Sequence, residues 1–266
     1  MTRLRVLAYN LEFGGRGREE AIYAVLAHLD ADLIALTEAD DPEVVAALAR
    51  RLGLYHVWAE GSGDRHIATL SRYPIKRWQV YNKPPLSQAV LQTEHEVGSG
   101  RFSSGRFNND YFTLYNVHFL PYLLLPFELH RYRAVGALLK LIRRQPPVPH
   151  LILGDLNAIG PGDRVLQHLN PVRMQKTMRW QLGIVFKLAV PRLLRAGYTD
   201  CFRYLYPRED GFTWYTRGHR TTRYDYILAD ASLITHLRRC EVIDNLEAIP
   251  EASDHFPLLA EFEWGQ

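Results

Sequence analysis

The chain has 266 residues, 47% hydrophobic and 23% charged, which is ample core material without disulfides or a structural metal. Lys and Arg total 32 against 29 Asp and Glu, a formal charge of +3 with pI ≈ 8.8. This mild basicity admits an anionic substrate and excludes a histone-like basic arm.

Residues 4–9 read as a strand that delivers Asn10 at its end, before a Gly14-Gly15 turn. Ile22, Val25, Leu26 and Leu29 have helical spacing, which predicts a helix over 19–29. Residues 33–36 form a compact apolar strand ending in Thr37-Glu38. Pro42 opens a second helix through Val44, Val45 and Leu48, and Gly53 closes it. Residues 66–70 lead as a strand into Ser71-Arg72-Tyr73-Pro74. Residues 87–97 alternate as a long strand, and Gly98-Ser99-Gly100 marks a turn. A strand over 111–117 delivers His118, and residues 129–142 read as a helix with a basic face.

A short apolar strand over 148–153 then stops at Gly154 and presents Asp155 and Asn157. These two share one face while the backbone stays extended. Final strands are expected at 211–214, 224–228, 237–243 and 257–262. Helices interspersed with many strands, without linker or repeat, predict one α/β domain over 1–266.

The two cysteines, Cys201 and Cys240, are isolated, so a cysteine zinc site is not expected and each reads as a small buried hydrophobe. The apolar stretches 119–127 and 182–190 are too short to cross a bilayer. Residues 1–3 run straight into a strand with no signal peptide, and a cytoplasmic location is expected.

Five strand ends carry polar residues: Asn10, Glu38, His118, Asp155 with Asn157, and Asp254-His255. Asp225 sits inside an apolar strand. An acid buried at such a position is costly unless it is used. Oxygen donors without cysteine suit a hard divalent cation, magnesium or manganese. Two histidines beside carboxylates suit proton transfer. Together these parts suit hydrolysis of a phosphate ester.

The ordered set Tyr9-Asn10-Leu11, Leu36-Thr37-Glu38, Leu70-Ser71-Arg72-Tyr73-Pro74, Asn116-Val117-His118, Gly154-Asp155-Leu156-Asn157, Arg223-Tyr224-Asp225-Tyr226-Ile227 and Ser253-Asp254-His255-Phe256-Pro257-Leu258 resembles the endonuclease/exonuclease/phosphatase superfamily, whose deoxyribonuclease I-like members include nucleases and phosphodiesterases. The resemblance runs from residue 9 to residue 258, with Thr37 standing where glutamine is usual. It implies a four-layer α-β-β-α sandwich of two packed mixed sheets flanked by helices, with the active site where strand ends converge.

The resemblance also implies roles. Glu38 is then the principal ligand of Mg2+ or Mn2+, with Asn10 beside it and Asp254 as a supporting or second-metal carboxylate. Asp155 orients or deprotonates the attacking water, and Asn157 contacts phosphate. His255, held by Asp225, is a base or phosphate contact, and His118 donates to the phosphate. Arg131, early in its helix, is expected to reach the phosphate, with a solvated helix face as the alternative.

Two segments bear on the substrate. Residues 119–127 are very apolar for a loop after His118, and the segment at about 172–196 reads as a basic, apolar insertion. That composition fits a nucleic-acid backbone. It equally fits the headgroup of an anionic lipid through a peripheral membrane contact, or a helical hairpin packed on the sheet. The expected activity is a metal-dependent phosphodiesterase with nucleic acid favoured and a lipid headgroup or soluble phosphate ester as alternatives. No obligate protein partner is evident.

Overall fold

The computed structural model describes residues 2–61, 63, 65–86, 89–97, 111–216 and 218–264. In chain order the elements begin β1 (Thr2–Asn10), α1 (Glu19–Leu29), β2 (Leu33–Thr37), α2 (Pro42–Leu52), β3 (Tyr55–Ala59), β4 (Ile67–Ser71), β5 (Ile75–Tyr81) and β6 (Ala89–Glu96). They continue with β7 (Tyr111–His118), α3 (Leu125–Ile142), β8 (His150–Asp155), α4 (Val172–Trp180), α5 (Ala189–Arg195), β9 (Thr199–Asp200) and α6 (Cys201–Leu205). The last are β10 (Trp214–Thr216), β11 (His219–Thr222), β12 (Asp225–Ala229), β13 (Leu237–Val242), α7 (Ile249–Ala252) and β14 (Leu258–Trp264).

One six-stranded sheet has the order β13-β14-β1-β2-β4-β3, the other β5-β6-β7-β8-β12-β9. Among the described residues only β1–β2 and β7–β8 pair in parallel. Period-two alternation decides the layers. Leu4, Val6 and Ala8 of β1 meet Leu114, Leu153 and Ile227 of the second sheet in a shared core. Their neighbours Leu7 and Tyr9 pack against Ile22, Val25 and Leu26 of α1 and Val45 and Leu48 of α2. On the other side, Tyr115, Val117, Ile152 and Leu228 pack against Val135 and Leu138 of α3 and Val190 and Leu193 of α5. The result is an α-β-β-α sandwich.

The α1 and α2 helices occupy the expected residues. Asp41 caps α2 by accepting from Glu43 N at 3.0 Å, and Gly53 closes it in the left-handed region. Other boundaries move for identifiable reasons. The α3 helix begins at Leu125 because Pro126 falls in its first turn, where a missing N–H costs nothing. The expected strand at 211–214 starts only at Trp214, as one arm of the β10–β11 hairpin. Strand β5 carries no alternating signal because most of it is exposed at a sheet edge. The turn expected at 98–100 and the start of the 87–97 strand lie outside the described residues.

Candidate active site

Strand register assembles the site. His118, at the end of β7, pairs with Asp155 at the end of parallel β8. Asp225, which opens antiparallel β12, pairs with Asp155 from the other side. Across the sandwich, Asn10 closes β1 opposite Thr37 of β2, and Glu38 follows immediately. Parallel neighbours end at the same edge, so a residue after one strand end lies beside the residue after the other. Asp254 and His255 come from the turn before β14. Ser253 Oγ ties that turn to β1 by donating to Asn10 O at 2.7 Å and accepting from His255 N at 3.0 Å. The β10–β11 hairpin fixes it further: Tyr215 N donates to Asp254 O at 2.8 Å, and Trp214 Nε1 to Asp254 Oδ2 at 3.0 Å.

The buried contacts are short and specific. Asn10 Nδ2 donates to Asp155 Oδ2 at 3.0 Å while Asn10 Oδ1 accepts from Glu12 N at 2.8 Å. Asp155 Oδ1 accepts from Asn157 N at 2.8 Å, and Asn157 Nδ2 holds Phe119 O at 3.0 Å. His255 Nδ1 lies 2.7 Å from Asp225 Oδ2. His118 Nε2 is 3.9 Å from Asp155 Oδ2. The second carboxylate oxygen of Asp225 and Nδ1 of His118 are buried with no partner among the described residues. Glu38 accepts from Phe13 N at 3.1 Å and is ion-paired with Arg65.

Electrostatics differentiates these groups. Burial favours a neutral His255, but the charge and hydrogen bond of Asp225 outweigh it and push the imidazole up to about 10. Burial pulls His118 down to about 4, so it is neutral at pH 7. Burial, reinforced by the charge of Asp225, raises Asp155 to about 8. Burial also opposes the charge of Glu38, yet nearby cations and the Phe13 N–H hold it below the usual carboxylate range. With His118 neutral, the Arg65 guanidinium is the main such cation.

Part of this cluster opens on a cavity of about 310 Å³, lined on one side by Glu12, Glu38, Asp155, Asn157, Asp254 and His255. Phe13, Pro121, Tyr122, Leu123, Leu124, Met174, Trp214 and Tyr224 form an apolar wall, with Arg65, Arg173 and Thr177 at the edges. Of the eight described non-glycine residues with positive φ, five line this cavity: Glu12, Phe13, Glu38, Tyr122 and Asn157. Such backbone is costly and persists where surrounding contacts impose it, so the concentration singles this cavity out from the rest of the surface.

The structure therefore brings together Asn10, Glu38, His118, Asp155, Asn157, Asp225, Asp254 and His255. It places Arg131 elsewhere. Arg131 is fully buried, pairs with Glu128 at 2.8 Å, and donates to Leu120 O at 2.6 Å and Tyr122 O at 2.9 Å. Its guanidinium shapes the loop over the cavity instead of facing a substrate. Sequence reasoning missed Glu12, Arg65, Trp214 and Tyr224. The tetrapeptide spacing of the motifs held no signal for Arg65 and Trp214, which arrive through tertiary folding alone.

The donor set fits a hard divalent cation. One ligand atom each of Glu38, His118 and Asp155 lies within 4.8 Å of the others, as do those of Asp155, Asp225 and His255, and all are buried. Acid and histidine donors without sulfur match this choice.

No curated protein matches the sequence. Among solved structures, the chain is similar to an AP endonuclease from Archaeoglobus fulgidus, with TM-score 0.73, 16% identity, and 98% of this chain and 100% of that one covered. It is similar to a 3' phosphatase, NExo, from Neisseria bound to product DNA hairpin, with TM-score 0.71, 19% identity and coverage of 98% and 100%. It is also similar to a truncated TDP2 from Caenorhabditis elegans, with TM-score 0.64, 15% identity and coverage of 98% and 97%. At these identities the likeness establishes the fold. The model of the Endonuclease/Exonuclease/phosphatase family matches residues 7–255, nearly the whole chain. The chain thus belongs to the endonuclease/exonuclease/phosphatase family and is, with it, a hydrolytic enzyme of phosphoester bonds.

Proposed function

We propose that this enzyme is a Mg2+- or Mn2+-dependent phosphodiesterase acting on nucleic acid, with one catalytic unit spanning residues 1–266. The observation that carries the reading is the clustering of Glu38, His118, Asp155 and the Asp225–His255 pair, of which Glu38, Asp155 and His255 line one cavity. The solved structures named above, a 3' phosphatase with DNA and an AP endonuclease, support nucleic acid as the substrate.

Glu38, supported by Asn10 and Asp254, would hold the cation. When bound, it supplies positive charge against the phosphoryl oxygens. The remaining chemistry belongs to the chain. Asp155, fixed by Asn10 and the Asn157 N–H, orients a water for in-line attack and accepts its proton as the O–P bond forms. His255, kept cationic and oriented by Asp225, donates to a non-bridging oxygen, and neutral His118 donates to another. The ester P–O bond breaks, and the leaving oxygen carries its electron pair away. Asn157 contributes chiefly by holding the loop at Phe119, at the rim where phosphate would lie.

Glu38→Ala and His255→Ala are each expected to lower hydrolysis of an aryl phosphodiester by at least 10²-fold with Mg2+ or Mn2+. Circular dichroism should be unchanged. Chelation should abolish the parent's activity, and added metal should restore it. Parent-like turnover in either variant would refute the assignment.

A further inference from the structure

Residues 171–195 contain six cations and no Asp or Glu. The structure divides this segment into two parts of different use. In α5, Ala189, Val190 and Leu193 are buried against α3, and Arg192 lies over the Tyr132 ring, so this half is structural. The α4 half is different. Met178 faces the core, while Arg173, Met174 and Thr177 line the catalytic cavity. The Gln181 side chain clamps its C-terminal end to the apolar loop, donating to Leu123 O at 2.7 Å and accepting from Leu125 N at 3.2 Å.

The outer face of α4 has a pattern. Arg173, Lys176 and Trp180 stand at i, i+3 and i+7, the spacing of a single stripe along a helix. All three are exposed, Trp180 by 90%. None of the three side chains makes an ion pair or hydrogen bond among the described residues. Arg173 belongs both to the stripe and to the cavity lining. The stripe therefore starts at the mouth of the site and runs outward for about 10 Å.

We propose that Arg173, Lys176 and Trp180 form a track for a single nucleic-acid strand whose reacting phosphate enters the cavity. The proposal rests on the phosphodiesterase reading above and adds the form of its substrate. Three features argue for it. A line of unpaired cations leading to the reacting centre matches a ligand with successive phosphates, whereas a lipid headgroup presents one. A fully exposed indole beside such cations stacks on an unpaired base, which a duplex does not offer. The cavity is concave and walled by Tyr122, Trp214 and Tyr224, so a nucleotide must leave a helix to occupy it.

Binding of a fluorescent single-stranded oligonucleotide, measured by anisotropy in chelator so that no cleavage occurs, tests the track. The parent should bind the single strand at least tenfold more tightly than the same sequence as duplex. Trp180→Ala should weaken single-strand binding about tenfold or more. Arg173→Gln and Lys176→Gln should each reduce the salt slope by about 0.7. Equal affinity for duplex and single strand would overturn the proposal, as would unchanged binding by Trp180→Ala. Trp180-dependent flotation with phosphatidylglycerol vesicles, without oligonucleotide binding, would also overturn it in favour of a membrane surface. Metal-dependent hydrolysis of an aryl phosphodiester by the parent separates the two readings. If that activity is present and the oligonucleotide does not bind, the track fails and the catalytic assignment stands. If the oligonucleotide binds without any hydrolysis, the catalytic assignment is the one that fails.

Discussion

Asp155 draws contacts from Asn10, Asn157 and His118, and its placement depends on the residue before it. Gly154 has φ +127, and a Cβ there would lie 2.2 Å from Val117 O, inside the pairing of β7 with β8. Glycine is required on both counts, conformational and steric. Gly154→Ala is expected to cost roughly 3 kcal/mol in urea unfolding, because the strand pair must separate to admit the methyl group. Parent-like stability would show that the β7–β8 edge yields freely. The sequence already presents Gly154-Asp155-Leu156-Asn157 as a polar stop after an apolar strand. It contains nothing that locates Arg65, because a lone loop arginine has no pattern until folding sets it against Glu38.

At the scale of elements, the buried Glu128–Arg131 pair on α3 organises both unusual segments. Glu128 Oε1 accepts from Leu188 N at 2.6 Å and Ala189 N at 2.8 Å, which satisfies the start of α5. Arg131 meanwhile gathers the carbonyls of residues 120 and 122 over the cavity. Removing one member of such a pair leaves an uncompensated buried charge. Glu128→Ala should therefore lose about 3–5 kcal/mol in chemical denaturation. A loss under 1 kcal/mol would mean that water replaces the carboxylate. The i,i+3 spacing of the pair is visible in sequence, but spacing alone reads equally as a solvated helix face. Only the packing of α5 on α3 excludes water and makes the pair structural.

Across the whole molecule, polar side chains stitch the two sheets together inside an apolar core. Asn116 of β7 donates to Leu36 O at 3.0 Å and Ala68 O at 2.8 Å in the opposite sheet. His95 of β6 joins Ser71 of β4 at 2.9 Å and Thr93 at 2.8 Å. Burial pulls His95 down to about 3, so the folded protein cannot take up the proton that the unfolded chain binds below its ordinary value near 6.5. The stabilisation is complete above 6.5 and is lost as pH falls from there toward 3. The slope is roughly 1.4 kcal/mol per pH unit. Urea unfolding at pH 7, 5.5 and 4.5 should show that extra slope in the parent relative to His95→Gln. Equal slopes in the two proteins would remove His95 as the source.

Sequence by itself determined the chemistry and the fold class. Strand and helix periodicities specify a mixed α/β domain, since apolar residues must leave water on a fixed repeat, while the two-sheet layering was implied by the family resemblance of the ordered motifs. Polar residues at the ends of those strands specify a phosphoester site, since an acid or histidine stranded there is costly unless it works. Tertiary structure decided which of these groups meet. Strand register joins residues 10, 118, 155 and 225 and sets Glu38 just past β2, while the tethered turn before β14 brings in His255; these are long-range properties that no local window contains. It also withdrew Arg131 from the substrate, brought Arg65 and Trp214 to the cavity, and separated the structural α5 from the exposed α4, because burial depends on what the rest of the chain packs against each face.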